Sequence, residues 1–213
     1  MANPSSISVR ELPLFPLPEV VLFPDRPMPL HIFEPKYRLM VNTILDGDKS
    51  FGILLWDAVT GEPASVGCSA EITDFRRLSD GRLNIMTVGR QRFRVLEYIQ
   101  ETPYKVGLVE WIDDLTPGAD VAGLSEEVSQ LLKDIAYLLA KLTDKTVELP
   151  ENLPESAEKL SFWVASNLYD LASEQQTLLE LRDTSMRLKR EVEILSVSRN
   201  QLAARTALKD AVG

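Results

Sequence analysis

The chain contains a single cysteine and a single histidine among its 213 residues. Cys68 therefore has no partner within the chain for a disulfide bond, and a metal site built from several cysteines is excluded. His31 alone cannot supply the pair of histidines that many zinc centres use. We expect no metal ion and no other cofactor, and we interpret His31 as a satisfied strand residue and Cys68 as a small buried side chain.

Long apolar runs are also missing from the sequence. The longest run in the C-terminal half is Ile135–Ala140, whereas a helix needs about 20 apolar residues to span a bilayer. The first residues lack the basic and apolar stretches of a secretory signal or a transit peptide. These observations predict a cytoplasmic location and no membrane partner.

Positive charge is in the minority, because 23 lysine and arginine residues face 32 aspartate and glutamate residues, for a net charge of −9. An acidic protein does not favour phosphate backbones, so we do not expect a nucleic-acid partner. Apolar residues make up 45% of the chain and charged residues 26%. Both values are typical of a globular protein, and they exclude a disordered chain.

The pattern of proline and apolar residues predicts two segments of different architecture. Eight of the 13 prolines lie within the first 35 residues, which indicates short edge strands and turns. A short helix is expected to open at Pro35, and several short strands follow, with a hairpin turn at Ser79–Gly81. Beyond Thr116–Ala119 the apolar spacing is helical to the end. We predict an α+β protein, with a β-rich domain over residues 1–115 and a helical bundle over residues 116–213.

Several motifs carry a family resemblance that runs over about residues 11 to 198. The segments are Leu12–Leu17, Pro29–Arg38, Val88–Val95, Pro103-Tyr104, Ala157–Leu160, Leu178–Glu180 and Arg187-Leu188. In this order they resemble the N-terminal, substrate-binding domain of Lon proteases. The resemblance implies a PUA-like β subdomain, a small barrel or sheet, followed by an α-helical bundle.

The resemblance also implies a function, and the missing motifs restrict it. Full-length Lon proteases carry ATPase and peptidase modules after this domain, and the chain has no Gly-x-x-x-x-Gly-Lys-Ser/Thr phosphate-binding loop. We therefore expect a stand-alone domain that binds unfolded or damaged protein segments without enzymatic activity. The alternatives are an adaptor that associates with itself as a homo-oligomer or docks to a protease or chaperone, and an ATP-independent peptidase.

A cluster of arginines is the predicted peptide-binding surface. Six arginines and only one acidic residue, Asp80, lie between residues 76 and 94. Arg90, Arg92 and Arg94 alternate, so a regular strand would place all three on one face. Arginine offers both charge and stacking to a peptide. The predicted binding residues are Arg76, Arg90, Arg92 and Arg94, and the alternative is a solvated strand face.

The motif that best matches the family is rich in charged and aromatic residues. We expect its residues to be structural: His31, Glu34, Lys36, Tyr37 and Arg38. In this interpretation Glu34 caps the helix that opens at Pro35 and pairs with Arg38 one turn further on. The alternative is that these charges dock the termini of a substrate.

Overall fold

The computed structural model describes residues 9–115, 120–147, 149–150 and 153–212. The predicted boundary at residues 116–119 lies outside these ranges. The strands are β1 (Val9–Pro18), β2 (Pro27–Ile32), β3 (Ser50–Asp57), β4 (Glu62–Pro63), β5 (Val66–Arg77), β6 (Leu83–Gln100) and β7 (Lys105–Ile112). The helices are α1 (Pro35–Leu45), α2 (Val121–Thr143), α3 (Ala157–Ser166), α4 (Ala172–Glu180) and α5 (Thr184–Val212). The predicted α+β class is confirmed, as are the helix start at Pro35 and the hairpin that joins β5 to β6.

The first strand closes the sheet into a ring of five strands. β1 pairs with β7 in antiparallel fashion over Val9–Leu14, and with β3 in parallel fashion over Leu14–Pro18. The ring then runs from β7 through β6 and β5 to β3, while β2 pairs with β6 and β4 with β3. The expectation of short edge strands is wrong for β1. The first half of β1 pairs along one edge and the second half along the other. Each half therefore needs backbone N–H donors along one edge only, so prolines, which lack this donor, are tolerated.

β6 is one continuous strand of 18 residues. Its pairing with β5 shifts by one residue between Gly89 and Arg92, which is a β-bulge. The Ser69 hydroxyl holds the bulge, because it accepts from the Gln91 amide at 3.1 Å and donates to the Gln91 carbonyl at 3.0 Å. A bulge resets the alternation of side chains between the two faces of a strand.

One buried cluster is formed by apolar side chains from the strands and from α1. Met40 and Val41 of α1 are fully buried and pack in the same cluster as Phe51 and Ile53 of β3. Backbones approach closely here: a Cβ atom at Gly67 would clash with the Ile53 carbonyl. Only glycine allows this approach between β5 and β3.

Contacts divide the chain into two compact units. The first contains the residues up to Asp113 together with Ser166–Glu180, and the second contains Asp114–Ala165 together with the residues from Leu181 onward. Within the first unit α4 is held against β5, because the Gln176 amide donates to the Val66 carbonyl at 3.0 Å. The sequence pattern grouped α4 with the other helices. The division into domains 1–115 and 116–213 stays a prediction.

The second unit is organised around a buried arginine on α5. Arg187 forms an ion pair with Asp114 at 2.5 Å. The same guanidinium donates to the Leu181 carbonyl and to the Ser161 hydroxyl, each at 2.7 Å, and it lies 4.0 Å from the centre of the Phe162 ring. A buried charge requires such complete pairing to remain in the interior.

One turn after this arginine, Glu191 is fully buried. Neither carboxyl oxygen has a hydrogen-bond partner among the described residues. Burial raises the pKa of Glu191 to about 9, although the charge of Arg187 acts in the opposite direction. The folded protein therefore holds this carboxyl in its protonated form at neutral pH.

We predict that Glu191→Gln stabilises the protein increasingly as pH rises from 5 to 8. In that range the folded state keeps a proton that the unfolded state has released. The stability of the native chain then falls with pH, with a slope of at most about 1.4 kcal/mol per pH unit from this group. Gln has the shape of the protonated acid but does not titrate, so it removes the contribution of this group to the pH dependence of stability. Urea unfolding at several pH values measures the free energy of unfolding of both proteins.

The matched control is Glu193→Gln, because Glu193 is exposed on the same helix. It should leave the pH dependence of the native chain unchanged. Parallel stability profiles for the native chain and Glu191→Gln would contradict the assignment.

Candidate functional site

The first unit contains a cavity of about 690 Å³ with aromatic walls, which we call the aromatic cavity. It is formed by the second half of β1, the end of β2, the start of α1, the end of β3 and the segment before β7. Five aromatic side chains line it: Phe15, Phe33, Tyr37, Trp56 and Tyr104. A concave, largely apolar site with a few polar groups is typical of ligand binding.

The aromatic side chains form a buried floor and an exposed rim. On the floor, Phe15 and Tyr37 are buried, and their ring centres lie 4.0 Å apart. On the rim, Phe33 is 60% exposed and Trp56 is 37% exposed. Phe33 lies in the short link between Ile32, which is buried, and the helix that starts at Pro35. The rim side chains therefore offer apolar area that a ligand can cover.

The charges around the aromatic cavity are balanced by local pairs. Lys36 lies 3.5 Å from Glu34 and 4.6 Å from the centre of the Tyr37 ring. Partial burial alone would lower the pKa of Lys36, but Tyr37 and Glu34 more than offset it and hold that pKa above its usual value. Lys105 pairs with Glu101 at another part of the wall. A cavity with paired charges favours apolar ligand groups over ions of either sign.

The structure brings together most of the motif that the sequence singled out. His31, Glu34, Lys36 and Tyr37 all line the aromatic cavity. The expected cap is wrong in detail, because Glu34 occupies the N-cap position without a side-chain hydrogen bond to the helix. Its carboxylate pairs with Lys36, whereas the guanidinium of Arg38 lies against Gly81. Whether these residues are structural or bind a ligand stays a prediction.

His31 joins the aromatic cavity to a second, smaller one. Its Nδ1 lies 2.6 Å from the side-chain oxygen of Asn84, and its ring stacks on Phe33 with centres 6.1 Å apart. The smaller cavity has a volume of about 390 Å³ and shares Leu30 and His31 with the aromatic cavity. Arg76, one of the predicted binding residues, is exposed and lines it.

The other predicted arginines do not form one outer face. Arg90 is exposed and pairs with Glu71 at 2.7 Å, and the partly exposed Arg94 pairs with Glu110 at 2.9 Å. Arg92 is only 2% exposed, so the expectation of a shared face is wrong at this residue. The bulge between Gly89 and Arg92 puts Arg90 and Arg92 on different faces of β6, and α4 covers Arg92. A role of the exposed arginines in peptide binding stays a prediction.

Arg92 instead supports α4. Its guanidinium donates a hydrogen bond of 2.7 Å to the Leu179 carbonyl near the end of that helix. The last carbonyls of a helix have no partner within the helix, so an arginine donor stabilises the end.

Comparison with known proteins identifies the family of this chain. A family model described as the ATP-dependent protease La (LON) substrate-binding domain matches residues 11–197. The chain is 25% identical to Lon protease 2 of Myxococcus xanthus over an alignment of 224 residues, which covers all of this chain and 27% of that protease. It is 26% identical to the Lon protease of Dictyoglomus thermophilum over 200 residues, which covers 88% of this chain and 25% of that protease.

Solved structures agree with this match. A Lon N-terminal domain protein from Xanthomonas campestris superposes with a TM-score of 0.63 at 27% identity, covering 85% of this chain and 96% of that one. The N-terminal domain of the Mycobacterium avium complex Lon protease has a TM-score of 0.66 at 16% identity, which shows a shared fold. It covers 88% of this chain and 98% of that one. The chain belongs to the LON substrate-binding domain family, and it spans about a quarter of the length of the curated relatives it matches.

Two further findings concern the described residues. In that part of the chain, no helix combines the length and the apolar character needed to cross a bilayer. The same residues contain no group of three or more histidine, cysteine, aspartate or glutamate side chains placed to hold a metal ion.

We predict that Arg92→Ala destabilises the protein by about 2–4 kcal/mol, because it leaves a void and a buried carbonyl without its donor. Arg90→Ala should cost less than about 1 kcal/mol, since it removes only an exposed ion pair. Urea unfolding measures both. Arg92→Met, which keeps the apolar stem, separates packing from hydrogen bonding. Equal losses for Arg90→Ala and Arg92→Ala would contradict the structural role of Arg92.

Proposed function

We propose that this chain binds unfolded or damaged protein segments and that the aromatic cavity receives their apolar side chains. The observation that carries the proposal is the cavity of about 690 Å³ with Phe33 and Trp56 exposed at its rim. Folded proteins bury most of their large apolar side chains, whereas unfolded segments display them. Exposed aromatic side chains beside a buried aromatic floor therefore favour the binding of unfolded segments over folded proteins.

The composition of the walls supports recognition of an extended chain rather than of one sequence. Pro16, Pro18 and Pro103 contribute rings to the lining. Such rings and the aromatic side chains present shape and apolar area without a fixed pattern of hydrogen bonds. Burying one aromatic side chain contributes about 1–3 kcal/mol, and ordering a flexible segment opposes that gain. We therefore expect micromolar affinity for many apolar segments.

The proposal includes binding without proteolysis by this chain. Cys68 supports it: the thiol is buried, and burial raises its pKa to about 12, so the thiolate needed for nucleophilic attack does not form. The proposal does not assign the ATPase and protease activities of the longer relatives to this chain. Non-enzymatic action, cytoplasmic location and self-association as an adaptor or homo-oligomer stay predictions.

We predict that Phe33→Ala weakens binding of a fluorescently labelled, reduced and alkylated protein by about 5–30-fold, because an exposed anchor of the cavity is lost. Fluorescence anisotropy measures the change. The matched control is Tyr137→Ala on α2, since Tyr137 is 68% exposed and lies outside the cavity. It should leave the affinity unchanged. Absence of binding by the native chain at high micromolar concentration would overturn the proposed function, and equal weakening by both variants would overturn the site.

The predicted arginine contacts require single variants, because Arg92→Ala is expected to destabilise the fold. If Arg76 extends the site through the smaller cavity, Arg76→Ala should weaken binding of the same unfolded protein several-fold. Arg90→Ala and Arg94→Ala should have smaller effects, since their guanidinium groups are already paired with Glu71 and Glu110. Unchanged affinity in all three variants would contradict the arginine surface.

A further inference from the structure

Trp56 also lines a second large cavity in the same unit, with a volume of about 660 Å³. It is formed by the end of β3, the turn into β4, and one face of α4. Four of its lining residues carry carboxylates: Glu19, Asp57, Glu62 and Glu180. Among the residues that the structure describes, no lysine or arginine lines it. We call it the acidic cavity.

We propose that the acidic cavity binds a lysine or arginine side chain of the same polypeptide segment whose apolar side chain occupies the aromatic cavity. This inference rests on the proposed function. It predicts that the protein prefers polypeptide segments that carry a basic residue close to an aromatic one. The occupant follows from charge complementarity, because four carboxylates around one concave surface attract a cation and repel an acidic segment.

Trp56 connects the two cavities. It lies near the end of β3, where it pairs with Pro18 of β1 and Pro63 of β4, and it lines both cavities. An extended segment that crosses Trp56 therefore reaches both sides within a few residues, since a strand advances about 3.3 Å per residue. The indole is also the aromatic group that attracts a cation most strongly through its ring face.

The carboxylates of the acidic cavity contrast with four glutamates of this unit that have basic partners. Elsewhere, Glu34, Glu71, Glu101 and Glu110 each form an ion pair with a lysine or arginine. Within the described residues, Glu19 and Glu62 form no ion pair. Asp57 accepts a hydrogen bond of 2.8 Å from the Val59 amide, and Glu180 accepts one of 2.8 Å from Gln176. The lining residues that the structure describes supply no lysine or arginine to these carboxylates.

A buried amide on the cavity wall is a second, independent observation. Gln176 is 8% exposed and lines the acidic cavity. Its nitrogen donates to the Val66 carbonyl and to Glu180, but its oxygen has no hydrogen-bond partner among the described residues. An unpaired buried acceptor is unfavourable. A lysine or arginine head group in the cavity brings N–H donors to the same wall.

Helix α4 adds one carboxylate to this wall. Five of its residues line the cavity, and Glu180 is its last residue. The end of the helix backbone is already stabilised by Arg92, which donates to the Leu179 carbonyl. The carboxylates and the indole ring therefore favour a cation in this cavity.

The test uses three short labelled peptides that share a phenylalanine anchor and differ at one position a few residues away: lysine, glutamine or glutamate. We expect the lysine peptide to bind the native chain about 3–10-fold more tightly than the glutamine peptide. The glutamate peptide should bind more weakly than both. The lysine preference should shrink at high ionic strength, because surface charges are screened.

The double variant Glu62→Gln/Glu180→Gln should abolish the lysine preference and leave the affinity for the glutamine peptide unchanged. Gln at position 180 can still accept from Gln176. The matched control is Glu11→Gln/Glu97→Gln, which removes two exposed carboxylates from the same unit that do not line the cavity. This control should keep the preference.

The outcomes separate the two proposals. Equal binding of all three peptides would overturn the acidic-cavity proposal and leave the proposed function in place. A lysine preference that survives in Glu62→Gln/Glu180→Gln would also overturn it, because the cation would then bind elsewhere. Failure of every peptide and of the unfolded protein to bind would overturn the proposed function and this inference with it.

Discussion

The candidate site depends on the pairing of β1 with two strands. Its first half pairs with β7 and its second half with β3, which joins the two ends of the sheet. The second half also supplies part of the aromatic cavity, where Phe15 forms the floor and Pro16 and Pro18 line the wall. Proline lacks a backbone donor, so this stretch of wall presents rings instead of N–H groups. Ring closure and an apolar binding surface follow from the same segment.

Local structure could be predicted from the sequence, whereas long-range pairing could not. Pro35 and the helical spacing of the apolar residues after it indicated α1, and Ser79–Gly81 indicated the hairpin. Each signal acts within one element. The closure of the ring joins Leu14 to Gly52 and to Lys105, residues far apart in the chain. The bulge that puts Arg90 and Arg92 on different faces of β6 arises where Ser69 bonds to Gln91, and simple alternation along a strand does not predict that contact.

The candidate site was anticipated in part. The motif around His31 and Tyr37 was singled out, and four of its five named residues line the aromatic cavity. Phe33 and Trp56, on which the proposed function depends most, were missed. Both stand in apolar runs, and a sequence does not say which apolar side chain of such a run remains exposed. Exposure is decided by the turn into α1 and by the end of β3, and both are set by tertiary packing.

Net charge alone describes the electrostatics of this protein poorly. The excess of acidic over basic residues is nine, but its effect depends on where carboxylates lack partners. At the aromatic cavity each carboxylate has a lysine beside it, so the apolar walls dominate. At the acidic cavity the lining residues that the structure describes include four carboxylates and no lysine or arginine. Trp56 lines both cavities. A polypeptide bound across Trp56 is therefore recognised both by its apolar side chains and by its charge.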